Sequence, residues 1–209
     1  MKVVAIIPAY NEAERIGGVL EVLQRVSEIN EIVVVSDGSE DNTVEVALRY
    51  KVTVIALPQN IGKGGAMKIG CDYSAADVYL FLDADLIGLQ AEHVTALLTP
   101  VLMDQADMAI GIFGNGRIAT DFAQKVAPFL SGQRAVKRQV LNSIDQLDAT
   151  RYGVEVVLTK YAEDSGIRVT EVPLPDLTHV MKEEKLGFVR GFYARLKMYW
   201  EIVKSVKIS

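Results

Sequence analysis

Two carboxylates, Asp83 and Asp85, follow directly on a hydrophobic run at residues 79–82. Two acids so close together suit a bound cation, and hard oxygen ligands favour Mg2+ or Mn2+. A partly filled octahedral shell would leave positions for both phosphates of a nucleotide diphosphate. The metal would then neutralise the charge that builds on a departing diphosphate. For this pair considered alone, the alternative is two solvated loop acids.

A glycine-rich segment at residues 60–68 precedes the acidic pair and contains Gly62 and Lys63. It is typical of the start of a helix, where exposed backbone amides and the lysine could face a diphosphate. It is not a Walker loop, because no Ser or Thr follows the lysine to bind magnesium. A plain helix start without a ligand is the alternative.

Two earlier polar segments, residues 8–12 and 36–43, each follow a β-branched run. A carboxylate there, such as that of Asp37, can accept hydrogen bonds from a base N–H or a ribose hydroxyl. Small neighbouring residues would let a planar base approach the backbone. Asp37 could equally be a turn residue before Gly38.

The polar segments lie between alternating β-branched runs and segments of helical periodicity, which is the pattern of βαβ units. The runs are apolar on both faces, so they predict a mostly parallel sheet covered by helices on each side. Ligands of such sheets bind at the carboxyl ends of the strands. We predict strands at residues 3–7, 32–35, 52–56, 78–82 and 108–112, helices at 13–27, from about 42, from about 62, at 92–103 and at 118–130, and a turn at 111–116.

Composition limits the classes of function. The chain has 209 residues without an internal repeat or linker, which suits one compact domain, and its net charge of -5 gives no reason to expect nucleic acid as a partner. Cys71 is the only cysteine, so an intrachain disulfide is excluded and a reducing compartment is favoured. No apolar stretch is long enough to cross a bilayer. We therefore expect a cytoplasmic protein that at most touches a membrane surface.

In this order, the four polar segments resemble the signature of glycosyltransferase family 2 on the GT-A fold, an α/β fold with a Rossmann-like, mostly parallel central sheet. The match covers roughly the first half of the chain. The resemblance implies that residues 8–12 and Asp37 hold the nucleotide base and ribose. It also implies that Lys63 lies beside the nucleotide and that Asp83 approaches the ribose or metal. The donor-binding residues expected on this basis are Pro8, Ala9, Tyr10, Asn11, Glu12, Asp37, Gly62, Lys63, Asp83 and Ala84.

Three segments of the second half, residues 131–138, 152–155 and 178–182, resemble glucosyl-3-phosphoglycerate synthases and nearby polyprenyl-phosphate glycosyltransferases. In the former family a late histidine completes the metal shell, and His179 matches that position. A histidine with a structural role is the alternative. The metal ligands expected from the resemblance are Asp83, Asp85 and His179.

Acceptor-binding residues are expected in the same segments. Arg134 and Arg138, four residues apart, would share one face of a helix and could grip an acceptor phosphate beside Gly132. Glu155 lies where the family often has an acidic residue near the acceptor hydroxyl, so it could act as a general base or position that hydroxyl. Catalytic roles are thus expected of Glu155 and Asp85. Solvated side chains on helix surfaces are the alternative for the arginines and the glutamate.

Residues 188–209 alternate basic and aromatic side chains in the pattern of a basic amphipathic helix. Such a helix could lie on an anionic membrane surface, which would suit a lipid-phosphate acceptor. Packing on the core or on a second subunit explains the same pattern. We therefore divide one GT-A domain into a nucleotide-sugar-binding half at 1–112, an acceptor-side half at 113–187 and this helix.

The sequence predicts metal-dependent transfer of a sugar from a nucleotide-diphosphate donor, for which the resemblance suggests UDP-glucose or a similar UDP-sugar. The expected acceptor is a phosphorylated one such as 3-phosphoglycerate, and a polyprenyl phosphate at the membrane surface is the alternative. A nucleotidyltransferase is disfavoured because residues 8–12 are neither glycine-rich nor basic. A catalytically silent nucleotide-sugar binding module is the alternative of another class. The stereochemistry of transfer stays open at this point.

Overall fold

The computed structural model describes residues 1–113, 131–144 and 154–179. Seven strands of this part of the chain form one sheet, in the order β3-β2-β1-β4-β7-β6-β8, and two short strands, β5 and β9, form a separate ladder. The strands are β1 Val3–Ala9, β2 Glu31–Ser36, β3 Thr53–Ala56, β4 Val78–Phe81, β5 Leu86–Ile87, β6 Met108–Phe113, β7 Arg134–Lys137, β8 Val169–Leu174 and β9 Thr178–His179.

Most neighbours in the sheet are parallel. Strands β1 to β4 all run the same way, and β6 and β8 form a second parallel pair. Strand β7 lies between them and is antiparallel to both β4 and β6. The carboxyl ends of β1, β2 and β4 therefore share one edge of the sheet, and the segment that leads into β7 returns to that same edge.

Helices cover both faces of the sheet. Alternate residues of β1 illustrate this, because Val3, Ala5 and Ile7 join one buried cluster with α1 and α4, while Val4 and Ile6 join another with α3 and α6. Strands that are apolar on both faces are thus buried on both faces, as predicted. The helices are α1 Ile16–Leu23, α2 Thr43–Ala47, α3 Lys63–Tyr73, α4 Ala91–Leu102, α5 Arg138–Asn142 and α6 Val154–Ser165.

The predicted α/β class and mostly parallel sheet are confirmed. The five predicted strands and the helices that begin near residues 42, 62 and 92 are all present, with ends shifted by one to a few residues. The first helix is shorter than the predicted 13–27. The chain turns at its start, where the amides of Arg15 and Ile16 both donate to the carbonyl of Glu12, and again after Leu23, where the amide of Val26 donates to that residue's carbonyl.

Two further differences concern loops. Pro8 and Ala9 were expected in a loop but are part of β1, paired with Val35 and Ser36 of β2. Proline has no backbone N–H to donate. Because the pairing of β1 with β4 ends at Ile6, Pro8 costs the sheet no hydrogen bond to β4. The predicted turn at 111–116 is wrong for residues 111–113, which extend β6. The helices predicted at 118–130 and 188–209 lie outside the described residues.

None of the described helices is long and apolar enough to cross a membrane.

Candidate active site

The centre of the site is an ionic cluster of Asp83, Lys63 and Glu155. The ammonium Nζ of Lys63 lies 2.5 Å from Oδ1 of Asp83 and 2.5 Å from Oε1 of Glu155. Asp83 follows β4, Lys63 begins α3 and Glu155 lies in the first turn of α6. One cation thus joins a carboxylate of the predicted donor half to a carboxylate of the predicted acceptor half.

The cluster is enclosed but still reached by solvent. The side chains of Lys63 and Asp83 are each 27% exposed and that of Glu155 is 15% exposed. Burial alone would lower the pKa of Lys63, but the charges of Asp83 and Glu155 outweigh it and raise this pKa above its usual value. The ammonium of Lys63 is therefore held as a cation between two carboxylates.

Gly132 and Gln133 close the cluster from the side of β7. A Cβ atom at Gly132 would lie 2.5 Å from Nζ of Lys63 and 2.7 Å from both carboxylate oxygens of Asp83. A side chain at residue 132 would therefore have to displace the ion pair from its present position. The side-chain amide of Gln133 donates to Oδ2 of Asp83 at 2.9 Å, so each oxygen of that carboxylate accepts a hydrogen bond.

Asp37 fixes the loop that leads into α3. Its Oδ1 accepts the backbone N–H of Ile61 at 2.8 Å and its Oδ2 accepts that of Gly62 at 2.9 Å. The next residue, Gly38, has a φ of +68° and lies so near that a Cβ there would be 2.5 Å from the backbone nitrogen of Asn60. The predicted donor-binding carboxylate thus positions the glycine-rich loop, and each oxygen keeps a second lone pair for a ligand.

The first two polar segments are linked to each other by side chains. The backbone N–H of Asn11 donates to Oγ of Ser39 at 3.1 Å, and Oδ1 of Asn11 accepts the backbone N–H of Glu40 at 2.8 Å. The backbone N–H of Glu12 donates to Oγ1 of Thr43 at 2.8 Å. These bonds join residues 11–12 to residues 39–43 at the carboxyl edge of the sheet, the edge that also carries the cluster.

The other predicted donor residues differ in their exposure. Tyr10 is 47% exposed and Asn11 is exposed, so both can be reached by a ligand. Ala9 and Ala84 are 3% exposed and belong to the hydrophobic core, and Glu12 is buried. The side chains of Ala9 and Ala84 therefore contribute packing, and a ligand could meet only their backbone.

The predicted pair of arginines is not on one helix face, and this prediction is wrong. Arg134 is the first residue of β7, opposite Phe81, whereas Arg138 begins α5 and donates its backbone N–H to the carbonyl of Asp77. Asp77 precedes β4, so Arg138 lies at the amino edge of the sheet, opposite the cluster. The four residues of β7 thus separate Arg138 from the edge at which Arg134 and the cluster lie.

Arg134 is a buried cation beneath Glu155. It is 1% exposed, and its guanidinium donates to the carbonyl of Ser131 at 3.0 Å and to Oγ1 of Thr159 at 2.8 Å. The hydroxyl of Thr159 in turn donates to the carbonyl of Glu155 at 2.8 Å. Burial lowers the pKa of Arg134 to about 10, although the charge of Glu155 acts to raise it. Arg134 holds the start of α6 from below instead of presenting its side chain to an acceptor.

A divalent metal would meet oxygen ligands at the end of β4. Asp85 is half-buried there, and the β5–β9 ladder places the backbone of His179 opposite Leu86, the residue after Asp85. The side chain of His179 lies outside the described part of the chain. Among the described residues, no three His, Cys, Asp or Glu side chains form a group that could hold a metal. Asp85 and His179 are residue types that bind divalent metals, and their backbones lie near each other. The complete set of metal ligands stays a proposal.

Sequence reasoning missed Gln133, Ser131 and Thr159 as parts of the site. These polar side chains are all buried, at 0%, 5% and 6% exposure. A signal was available, because Gln133 follows Gly132 within a segment already singled out. The role of Gln133 could not be predicted from this, because the sequence does not show that the segment leads into an antiparallel strand next to β4.

Fold and site together define a GT-A type α/β protein whose polar cluster lies at the carboxyl edge of a mostly parallel sheet. A profile of the family described as Glycosyl transferase family 2 matches residues 4–169. The chain therefore belongs to glycosyl transferase family 2. The match runs from β1 to the start of β8 and includes Lys63, Asp83 and Glu155.

Relatives of known name are glycosyltransferases. The chain is 38% identical over 94 residues to a dolichyl-phosphate β-glucosyltransferase of Trichomonas vaginalis, a match that spans 38% of this chain and 28% of that relative. It is 27% identical over 243 aligned residues to a dolichol-phosphate mannosyltransferase of Pyrococcus furiosus, covering 100% of this chain and 68% of the relative. The chain thus spans under a third of the glucosyltransferase it matches.

Solved structures of glucosyl-3-phosphoglycerate synthase from Mycobacterium tuberculosis have the same fold. One, in complex with Mn2+, UDP and glucosyl-3-phosphoglycerate, superposes with a TM-score of 0.75 at 25% identity over 86% of this chain and 72% of that one. Another, with Mn2+, UDP-glucose and phosphoglyceric acid, gives a TM-score of 0.74 at 25% identity over 86% and 71% of the two chains.

Proposed function

We propose that this protein transfers a sugar from a UDP-sugar donor, with UDP-glucose as the leading candidate, in a reaction that depends on a divalent metal. The observation that carries the proposal is the cluster of Asp83, Lys63 and Glu155 at the carboxyl edge of the sheet. Family membership and the named relatives support the reaction class, and the synthase with Mn2+ and UDP-glucose supports the donor and metal. Mg2+ would satisfy the same oxygen ligands.

On the donor side, the proposal gives each group one task. Tyr10 and Asn11 would border the base, while Asp37 holds the loop at residues 60–62 so that its backbone and Lys63 face the diphosphate. Asp83 would bind the ribose or the metal. Asp85, together with His179, would hold the metal, which when bound stabilises the negative charge on the departing nucleotide diphosphate.

On the acceptor side, Glu155 would accept a hydrogen bond from the acceptor hydroxyl. In an inverting transfer it would also take that hydroxyl's proton as a general base. Lys63 donates a hydrogen bond to Glu155. The acceptor hydroxyl would therefore compete with Lys63 for this carboxylate, while the donor diphosphate would attract Lys63 away from it. Arg134 and Thr159 keep the first turn of α6, and with it Glu155, in place.

The acceptor we propose is a small phosphorylated acid such as 3-phosphoglycerate. Support comes from the synthase structures, which match most of this chain and contain phosphoglyceric acid. A polyprenyl phosphate is the second candidate, supported by the dolichyl-phosphate relatives. The basic pattern of residues 188–209 is compatible with both.

Thermal unfolding with and without ligand tests the proposed function. UDP-glucose together with MnCl2 should raise the midpoint of unfolding by about 5–10 °C at a hundredfold excess over the dissociation constant. Either ligand alone should have a smaller effect. Asp85→Asn should remove the part of the shift that requires manganese, because it replaces a charged ligand with a neutral amide.

Asp72→Asn is the matched control, since Asp72 is an exposed acid on α3 that pairs with Lys68. Its ligand-induced shift should equal that of the wild type. A manganese-dependent shift that persists in Asp85→Asn would contradict the metal assignment. Absence of any shift with UDP-glucose, alongside a shift with GDP-mannose, would contradict the proposed donor.

A further inference from the structure

Gln133 is a fully buried amide at the edge of the ionic cluster. It is 0% exposed and lies immediately before β7, at the point where the chain reaches the carboxyl end of β4. A buried amide is unfavourable unless its polar atoms find partners. Its Nε2 donates to Oδ2 of Asp83 at 2.9 Å, on the side of the carboxylate away from Lys63. An apolar residue of this size would fill the same space without that bond.

The orientation of this amide follows from its partners. Ionised Asp83 can only accept hydrogen bonds, so the amide must turn its NH2 group towards it and its carbonyl away. The carbonyl Oε1 then lies 3.2 Å from the hydroxyl of Ser131. The backbone carbonyl of Gln133 is also held, because it accepts the N–H of Gly111 at 2.8 Å. Gln133 is thus fixed at both its backbone and its side chain.

We propose that Gln133 is a positioning residue for the donor. It holds the carboxylate of Asp83 in the one rotamer that faces the nucleotide site, and it does so without adding a charge. This inference rests on the proposed function, because it assigns Asp83 to the UDP-sugar and its metal. Ser131 acts in the same direction, because its hydroxyl oxygen accepts the backbone N–H of Gln133 at 3.3 Å. Its single proton is shared between the carbonyl of Gly111 and Oε1 of Gln133.

Gln133 is uncharged, and this is as important for the proposed role as its hydrogen bond to Asp83. Lys63 pairs with both carboxylates of the cluster, and the buried guanidinium of Arg134 interacts with the charge of Glu155. A further cation beside Asp83 would therefore weaken the attraction of the site for a metal. An acid in this position would repel Asp83. A neutral donor of hydrogen bonds orients the carboxylate while leaving its charge available, which is the combination that a metal-dependent donor site needs.

The test is a double-mutant cycle on the affinity for UDP in the presence of MnCl2, measured by calorimetry on the full chain. Gln133→Met has nearly the same length but cannot donate, and it should weaken UDP binding about tenfold, the effect expected for one hydrogen bond to a charged group. In the Asp83→Asn background the same substitution should change the affinity by less than about twofold, because the partner is already altered. Steady-state assays with UDP-glucose should show the loss mainly in the donor KM.

Gln139→Met is the matched control, since it makes the same exchange at an exposed position on α5, and its UDP affinity should equal that of the wild type. If Gln133→Met proves too unstable to assay, Ser131→Ala should give a smaller loss that also disappears in the Asp83→Asn background. Unchanged affinity in Gln133→Met, or an equal loss with and without Asp83→Asn, would overturn the inference. If the wild-type protein binds neither UDP nor UDP-glucose, the proposed function fails instead.

Discussion

Lys63 is the side chain on which the site depends most. It bonds to Asp83 and to Glu155, which are separated from it by 20 and 92 positions along the chain. The charges of Asp83 and Glu155 raise the pKa of Lys63, which favours its charged form. Without it, the partly buried carboxylates of Asp83 and Glu155 would lose their shared counter-ion. Lys63 therefore joins α3 to the end of β4 and to α6.

Replacing this cation tests its structural role directly. Lys63→Met should lower the free energy of unfolding by about 1–3 kcal/mol at pH 7, because it leaves two partly buried carboxylates without their counter-charge. The double variant Lys63→Met with Glu155→Gln should recover part of the loss. Urea unfolding followed by circular dichroism measures both values.

Lys68→Met is the control for this prediction. Lys68 belongs to the same helix, and its pair with Asp72 is exposed, so the change should cost less than about 0.5 kcal/mol. Equal losses for the two lysine variants would show that the Lys63 cluster contributes no more than a surface ion pair.

Strand β7 is the element that completes the sheet and the site together. One end of it carries Arg134, opposite Phe81, and the other carries Lys137, opposite Val78. At the amino edge, Lys137 joins β7 to β6 through Asp107, the residue before β6, at 2.8 Å. Arg168, just before β8, donates to both carboxylate oxygens of Asp107. This ion network anchors the three strands at the edge opposite the cluster.

The network predicts a pH-dependent contribution to stability. The hydrogen bonds from Arg168, and then those from Lys137, hold the pKa of Asp107 well below its usual range. A lowered pKa stabilises the fold fully above the unfolded value of about 3.9, and this contribution is lost as the pH falls towards the folded value. Asp107→Asn should therefore be about 1–3 kcal/mol less stable than wild type at pH 7. The difference should shrink below about pH 4, as chemical denaturation across this range would measure.

Asp72→Asn again supplies the comparison, because Asp72 makes one exposed ion pair. Its stability should stay within about 0.5 kcal/mol of wild type at every pH. A difference between wild type and Asp107→Asn that stays constant from pH 7 to pH 3 would mean that the lost contribution is packing and not the ionised pair.

In the proposed reaction a donor and an acceptor meet at the cluster, and the relatives of this chain differ in the acceptor. The solved synthases contain phosphoglyceric acid, whereas the relatives of Trichomonas and Pyrococcus are named for dolichyl or dolichol phosphate. Both acceptors present a phosphate, so the cluster around Glu155 does not separate them.

Transfer of label from UDP-glucose distinguishes the two acceptors. With the full chain and MnCl2, 3-phosphoglycerate should accept radiolabelled glucose, and a short polyprenyl phosphate in detergent should accept at least tenfold less at equal concentration. The full chain should also stay in the supernatant when anionic vesicles are sedimented. Transfer only to the polyprenyl phosphate, with vesicle binding that is lost when residues 188–209 are removed, would support the second candidate and contradict the first.

Local sequence determined the first half of this protein. Runs of β-branched residues followed by polar loops predicted β1, β2, β3 and β4 and the edge at which Asp37, Lys63 and Asp83 meet, because strand and helix periodicity act over a few neighbouring residues. The parallel order follows from the alternation with helices. The carboxyl ends of parallel strands lie at the same edge of the sheet, and this does not depend on the conformation of the loops.

Only the tertiary structure decided the second half of the site. Arg134–Lys137 is too short for its period to reveal a strand, and its direction depends on pairing with β4 and β6. That pairing buries Arg134, moves Arg138 to the opposite edge and places Gln133 against Asp83. Contacts between residues 50 or 92 positions apart leave no local pattern in the sequence, because they are set by which surfaces pack together when the chain is folded.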